Sequence, residues 1–456
     1  MDHREGAAGA KGEKSEKQIV SLAEAAAKIN TRHLMDHLVK AVRECLWEDE
    51  LLSRYTDYFA KALSGVSFPW VKMFKDAPLS TLIDVPLSHI PDSVYGTTRN
   101  WLDLPPVELE DFSAFVLRAF DQILLDLEGG GGGDDSKSQV GMFVALAIVL
   151  RCKPEALAPV LPILRQNPKY QGHDKLPVTV WMLAQASKSN DLCLGLYSWS
   201  HNLLPLVTVS SKKRCYIPQS MDLILQFVEE ILSRPRAPAI LVDGALREGE
   251  PLIPLTSFEI LVRLAFPAPD ARVESTARVE AIYPLLKDVA LSPDMPGGSN
   301  AVKQMFTFSL RSARKGIVTG NLVLAEEATS IAIWCVLESV DCFEHWDILY
   351  RENLEASVAL LKELVGGRWV FRKLSKSPRD TLTLNQTMES FRRKNKRAIA
   401  EGGASASLYK EADKYCTLIS GSLSRESGGF ELSPITVVLA AAGAAAGAAA
   451  ALVVLA

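Results

Sequence analysis

Three things are scarce in this sequence: a charge excess of one sign, cysteine, and long hydrophobic runs. The chain of 456 residues has 50 Lys and Arg against 54 Asp and Glu, a net charge of −4, which excludes a strongly basic, general nucleic-acid binder. Its 7 cysteines are odd in number and form no CxxC pair, which excludes a disulfide scaffold and predicts reduced thiols. A long apolar run occurs once, at the C-terminus, which excludes a multi-span transporter.

Motifs for catalysis and cofactor binding are also missing. The sequence contains no GxSxG, no GxGxxG and no kinase motif set. His33 and His37 have the spacing of a helical metal pair, but the HExxH glutamate is absent, so we interpret them as a solvated helix face. Cys342 and His345 are close in sequence without a third partner. We therefore predict that the protein is not an enzyme, with no cofactor, no metal and no small-molecule substrate.

Apolar residues recur with the spacing of amphipathic helices along most of the chain. Leu34, Leu38 and Val42 give one such stripe, and residues 112–127 give a longer one. So many similar helices cannot all surround one small core. We therefore predict an all-α fold, an irregular α-solenoid of stacked helical hairpins (HEAT/armadillo-like) with a C-terminal transmembrane helix. A globular helical bundle is the alternative.

Composition divides the chain into four regions. Residues 1–18 are polar, carry charges of both signs and are predicted to be disordered rather than a secretory signal. Residues 19–367 form the predicted helical-repeat cytosolic domain, with a flexible glycine loop at 129–138. Residues 368–434 form a basic juxtamembrane region and linker, and residues 435–456 form the predicted transmembrane anchor.

The predicted anchor carries no charge and no proline. As a helix its 22 residues would span about 33 Å, close to the hydrocarbon thickness of a bilayer. With no signal peptide ahead of it, the segment predicts a tail-anchored arrangement with the bulk of the chain in the cytosol. Its candidate anchor residues are Ile435, Leu439, Gly443, Gly447, Leu452 and Leu455. Gly443 and Gly447 form a GxxxG pair that would let two copies associate weakly, although an Ala/Gly-rich span also contains such a pair by chance.

A basic segment lies ahead of the predicted anchor. Residues 368–397 contain ten basic and two acidic residues, a local charge of +8. The candidate lipid- or partner-binding residues are Arg368, Arg372, Lys373, Arg392, Arg393, Lys394, Lys396 and Arg397. Each basic residue near an anionic leaflet contributes about 1 kcal/mol, and Trp369, Phe371 and Phe391 are interleaved as in an interfacial segment. A solvated basic helix or a protein-binding face is the alternative, and nucleic acid is disfavoured.

One stretch is distinctive: FKDAPLSTLIDVPLSHIPDSVYGTTRNWL, at positions 74–102. Its core, from Ile83 to Pro91, resembles the hallmark block of the transmembrane protein 214 family. Two later stretches are similar to plant-type members, LPILRQNPKYQGHDKLPVTVWMLAQ at 161–185 and HWDILYRENLEASVALLKEL at 345–364. The resemblance covers most of the chain.

The resemblance implies a protein of the endoplasmic reticulum (ER) membrane without catalytic activity. In animals the family is associated with apoptosis under ER stress, by holding an initiator caspase at the membrane. It therefore implies protein partners, among them a protease of the cell-death pathway, and it offers no catalytic or ligand residues to transfer. Animal members are longer and have more than one hydrophobic segment at the C-terminus, so the anchoring role is what carries over.

The sequence thus predicts a non-enzymatic, ER-membrane-anchored scaffold that recruits protein partners, with the Golgi as the alternative compartment. The alternative function is a membrane-trafficking or cytoskeletal adaptor whose segment 368–397 binds anionic lipid or acidic partners. The block from Ile83 to Pro91 is predicted to be an extended turn, because Pro86 and Pro91 bias the preceding residues away from helix. We favour a packed interhelical linker over a partner site for it.

Overall fold

The computed structural model describes residues 20–104, 107–129, 136–189, 191–211, 218–292, 298–367 and 377–427. These residues form two compact units, the first ending at Ala356 and the second beginning at Ser357. Within the described ranges the regular structure is helical apart from one two-stranded hairpin of two residues per strand. The predicted all-α class is confirmed.

Short helices joined by Pro- and Gly-containing turns follow one another along the chain. The α-helices are α1 Leu22–Ala27, α2 Thr31–Glu44, α3 Glu48–Ala62, α4 Trp70–Asp76, α5 Leu79–Leu82, α6 Asp92–Leu102, α7 Leu109–Glu128, α8 Ser136–Cys152, α9 Val160–Gln166, α10 Leu176–Ser187, α11 Leu192–Ser198, α12 Leu204–Ser211, α13 Pro218–Leu232, α14 Ala237–Asp243, α15 Leu255–Ala265, α16 Glu274–Ala290, α17 Gly298–Thr319, α18 Leu322–Glu338, α19 Asp341–Leu349, α20 Leu354–Gly366, α21 Pro378–Glu401 and α22 Ala406–Ser427.

Other elements are brief. Single 3-10 turns lie at Leu87–His89, Pro154–Leu157, Pro168–Tyr170 and Pro269–Ala271, and a π-helical turn at Trp199–Leu203 joins α11 to α12. The strands β1 Leu246–Arg247 and β2 Glu250–Pro251 form the antiparallel hairpin. The predicted glycine loop begins where Gly129 caps α7, but α8 begins at Ser136, within the predicted loop.

Helix α8 lies at the centre of the first half of the first unit. Its apolar run is completely buried, because every residue from Phe143 to Leu150 has no exposed surface. A helix apolar on all sides needs neighbours on all sides, and α8 packs against α3, α7 and α10. On one side Trp70 stacks on Phe143 with the ring centroids 3.7 Å apart, and Trp181 meets Phe143 edge-on at 5.0 Å.

Neighbouring helices in the second half of this unit pair as hairpins, notably α15 with α16 and α17 with α18. Gly320 makes the turn between α17 and α18 with a φ of +74°, a conformation that favours glycine. The next residue, Asn321, caps α18 by accepting from the Leu324 amide at 3.2 Å, and its amide group donates to the Phe266 and Pro267 carbonyls. Paired helices of this kind are consistent with an α-solenoid-like fold.

The predicted fold class is wrong in its transmembrane component. In the part of the chain that the structure describes, no helix is both long and apolar enough to cross a membrane. The apolar helix α18 illustrates why, because it has 17 residues and carries Glu326, Glu327 and, at its end, Glu338. The segment predicted as the anchor, residues 435–456 with Ile435, Leu439, Gly443, Gly447, Leu452 and Leu455, lies outside the described residues. That prediction rested on a half-alanine segment, and alanine contributes little to insertion.

The block from Ile83 to Pro91 is held by side chains of α8 and α10. The Ile83 carbonyl accepts from Arg151 Nη2 at 2.7 Å and from Gln185 Nε2 at 2.9 Å, and the Val85 carbonyl accepts from Trp181 Nε1 at 2.8 Å. Ile83 and Val85 are buried, and the Val85–Pro86 peptide bond is cis. The backbone from Ile83 to Pro86 is a turn that leads into the 3-10 helix Leu87–His89, not the extended segment that was predicted. The buried Ile83 and Val85 carbonyls take their partners from the neighbouring helices. This part of the block is a packed interhelical linker, as we favoured.

His201, in the π-helical turn, is held as a neutral ring. Its Nε2 lies 2.9 Å from the Pro251 carbonyl and its Nδ1 lies 3.2 Å from Arg165 Nη1. The carbonyl can only accept and the guanidinium can only donate, so Nε2 carries the proton and Nδ1 does not. Burial lowers the pKa of His201, the Arg165 charge lowers it further, and the Pro251 hydrogen bond opposes both.

This lowered pKa predicts acid sensitivity. The unfolded chain, with an ordinary histidine pKa of about 6.5, binds the proton more readily than the folded chain does. The contribution of neutral His201 is therefore complete above pH 6.5 and is lost as the pH falls below it. Between pH 7.5 and pH 5, the free energy of unfolding measured by urea melts should fall less for the His201→Gln variant than for the wild type. The exposed His173→Gln is the control, and equal pH slopes for wild type and His201→Gln would contradict the assignment.

Candidate functional site

The second unit contains a helical hairpin formed by α21 and α22. Each helix has one apolar stripe with a period of three to four residues, and the two helices pack together. The buried residues of the stripes are Leu384, Thr387, Met388, Phe391 and Asn395 on α21 and Ala412, Cys416, Ile419 and Leu423 on α22. Gly402 and Gly403, both with positive φ, form the turn between them. The hairpin therefore has a buried side and an outer side.

The structure places part of the predicted basic segment on this hairpin. Arg392, Arg393, Lys394, Lys396 and Arg397 all lie on α21. The other predicted members, Arg368, Arg372 and Lys373, lie outside the described residues, as do Trp369 and Phe371. The part that can be described is thus a compact cationic stretch on a regular helix.

The cations of α21 are not equivalent. Arg392 turns toward α22, where its Nε lies 3.6 Å from Asp413 Oδ1. Arg397 is exposed and pairs along its own helix with Glu401 at 2.8 Å. Arg393 and Lys396 are also exposed, and their side chains form no ion pair with any described residue. We call Arg393, Lys396 and Arg397 the outer cationic face.

Phe391 does not have the interfacial position that its sequence context suggested. The side chain has no exposed surface and belongs to the stripe that packs on α22. Nearby, burial, together with the Asp413 charge, raises the pKa of the Cys416 thiol to about 12, and the Arg392 charge opposes this. Phe391 and Cys416 therefore support the hairpin from inside rather than contact a ligand.

Asp413 is a residue that sequence reasoning misses. The run around Arg392 shows dense positive charge, but nothing local indicates which position of a later helix will face it. The period of the α22 stripe supplies a signal, because Asp413 follows buried Ala412 and so flanks the packed side. The Arg392–Asp413 pair therefore stabilises the hairpin, and the outer cationic face remains exposed for binding.

The histidines singled out by spacing have separate structural partners. His33 Nδ1 lies 3.3 Å from the Tyr58 hydroxyl, and His37 Nε2 lies 3.2 Å from the Arg54 carbonyl. In the described ranges no group of three His, Cys, Asp or Glu side chains could hold a metal ion. Cys342 is fully buried, whereas His345 faces Thr307, with Nε2 2.7 Å from Oγ1.

Comparison with known proteins gives no family for the chain. No family model, no curated protein and no solved structure matches it.

Proposed function

We propose that the protein is a non-enzymatic helical scaffold that recruits protein partners, and that it acts at the ER in the cell-death response to ER stress. The observation that carries the scaffold role is the outer cationic face. Arg393 and Lys396 stand exposed on a packed hairpin, and their side chains form no ion pair with any described residue. The ER setting and the cell-death role rest on the resemblance of residues 74–102 to the transmembrane protein 214 family.

The geometry favours an acidic protein surface over a lipid surface as the partner of this face. Interfacial binding to lipid combines cations with aromatic or aliphatic side chains that enter the bilayer. Phe391, the described aromatic of the basic segment, is fully buried. The face thus offers charge without that aromatic, and charge complementarity gives specificity and speed to protein association.

Charge reversal of the face should remove the partners. Exposed ion pairs contribute about 0.5 kcal/mol each, so Arg393→Glu, Lys396→Glu and Arg397→Glu together should weaken association roughly tenfold. The measurement is proximity labelling in cells with the full chain fused to a biotin ligase. The wild type should label a recurrent set of partners, ER proteins among them. In the triple variant the labelling of this set should fall roughly tenfold.

A matched control is available on α2. Arg32, Lys40 and Arg43 are exposed cations, and reversing them changes the net charge equally. This control should keep the wild-type partner set. Equal labelling by all three proteins would contradict a partner role for the face. Loss of binding to vesicles containing anionic lipid, with protein partners unchanged, would instead favour the lipid-binding adaptor.

A further inference from the structure

A second basic feature lies in the first unit, away from the hairpin in sequence. A groove of about 700 Å³ opens between α15, α17, the first turn of α18 and the middle of α19. Its cationic lining residues are Arg263 on α15 and Lys303, Arg311 and Lys315 on α17. His345 on α19 completes the lining. We call this feature the basic groove.

Two of the four cations of the basic groove have a carboxylate partner and two have none among the described residues. Glu259 is the one carboxylate among its described lining residues, and it pairs with Arg263 at 2.9 Å. Lys303 is partly neutralised by Asp341, 3.5 Å away. Arg311 and Lys315 are exposed, and their side chains form no ion pair with any described residue.

The titration of His345 is consistent with a positive potential in the groove. Burial lowers the pKa of this ring, and the charges of Lys303 and Arg311 lower it further. The Thr307 hydroxyl, which lies 2.7 Å from His345 Nε2, also donates to the Lys303 carbonyl at 2.9 Å. Lys303, Thr307 and His345 therefore form one connected wall.

The floor of the groove is apolar. Val262 and Leu324 are buried beneath it, and Phe308 contributes a half-buried ring. An apolar floor with charged walls suits a ligand that has an apolar side and a charged side. A purely ionic ligand would pair with the walls of the groove but would leave its apolar floor uncovered.

The shape favours an elongated ligand. The α17 residues that line the groove run from Asn300 to Lys315, which is about 22 Å along a helix. Lys303 and Lys315 are about 18 Å apart on the same measure. A small anion can bridge Arg311 and Lys315, which are one turn apart, but it does not also reach Lys303, whereas a peptide lying along α17 reaches all three. Peptides that bind grooves in this way use an amphipathic helix.

We propose that the basic groove binds an acidic, amphipathic peptide segment of a partner protein. Carboxylates of the peptide pair with Lys303, Arg311 and Lys315, and an apolar side chain rests on Val262 and Leu324. This site gives the scaffold a second contact that does not depend on the outer cationic face. An experiment can therefore disprove one of the two sites and leave the other standing.

The test uses the purified full chain and a fluorescein-labelled amphipathic peptide of fourteen residues with one Glu face and one Leu face. Fluorescence anisotropy should show saturable binding. Arg311→Glu with Lys315→Glu should weaken it at least tenfold, and Phe308→Ala should weaken it about threefold. Both changes lie on exposed or half-exposed positions of α17, and circular dichroism confirms that the helices remain.

Two controls make the result decisive. Arg393→Glu with Lys396→Glu carries the same charge change on α21 and should leave peptide binding unchanged. A peptide with Gln in place of Glu should bind at least tenfold more weakly. The proposal is overturned if the α21 variant weakens binding while the α17 variant does not, or if the Gln peptide binds equally well. Displacement of the peptide by millimolar inorganic phosphate would also overturn it, in favour of a small-anion site.

Discussion

Gly141→Val is expected to unfold the first unit or to lower its free energy of unfolding by about 4 kcal/mol or more, beyond the usual cost of overpacking. Gly141 lies on α8 where this helix meets α3 at backbone distance. A Cβ atom at this position would lie 2.5 Å from Ala60 Cα and 2.7 Å from the Phe59 carbonyl carbon. The obstacle is backbone rather than a flexible side chain, so α3 itself would have to move. Urea unfolding of the full chain followed by circular dichroism measures the loss.

Gly96 provides the matched control. It lies within α6, and a Cβ atom added there would meet nothing within 4 Å. Gly96→Ala should therefore stabilise by up to about 1 kcal/mol through helix propensity. The smaller change Gly141→Ala should still destabilise, which keeps the test open if the valine variant does not fold. Stabilisation by Gly141→Ala of the size found at Gly96 would refute the close approach of α3 and α8.

Arg151→Leu is expected to cost about 3 kcal/mol, because it removes two hydrogen bonds and strands a buried acceptor. Arg151 Nε donates to Gln185 Oε1 at 2.9 Å, and Nη2 donates to the Ile83 carbonyl at 2.7 Å. Gln185 has no exposed surface, so water cannot replace the lost donor without a rearrangement. Arg151→Lys should not rescue the stability, because a single ammonium does not reproduce the forked geometry of a guanidinium. The loss of stability is measured as the shift of the urea midpoint, with the slope of free energy against urea concentration unchanged.

Lys153 is the control for the loss of a charge near the same helix end. It pairs with Asp103 at 2.6 Å, and the Asp103 side chain is 60% exposed. Lys153→Met should change stability by less than about 1 kcal/mol. If Arg151→Leu were as mild as Lys153→Met and instead reduced the partner set in cells, the Ile83–Pro91 block would be a partner site and not a linker.

The periodicity of the sequence predicts the helices well because an amphipathic helix records its burial in its own residues. Phe112, Phe115, Val116 and Ala119 were predicted to share one face of a helix, and all four are buried on α7. The same logic holds for Leu34 and Leu38 on α2, whereas Val42, the third predicted member of that stripe, is 42% exposed. Each of these stripes is local, so no knowledge of the partner helix is needed.

Pairings between helices are not recorded locally. Gly141 is one glycine in an apolar run, and only the position of Ala60 on another helix shows that it is needed. The basic groove is a similar case, since Arg263, Arg311 and His345 come from three helices whose alignment the sequence does not show. The dense charge between Arg392 and Arg397 was recognised because it is contiguous. The predicted anchor lies outside the described residues, and no described helix is long and apolar enough to cross a membrane.

The central claim is that the outer cationic face contacts a protein partner, and site-specific photocrosslinking tests it most directly. A photoreactive phenylalanine analogue at Lys396 in the full chain, irradiated in cells, should give discrete adducts with one or a few acidic proteins. The adducts should disappear when Arg393 and Arg397 are reversed to Glu, and the same analogue at Lys40 should not give them. Identical adducts from both positions, or adducts at Lys396 with lipid alone, would contradict the account.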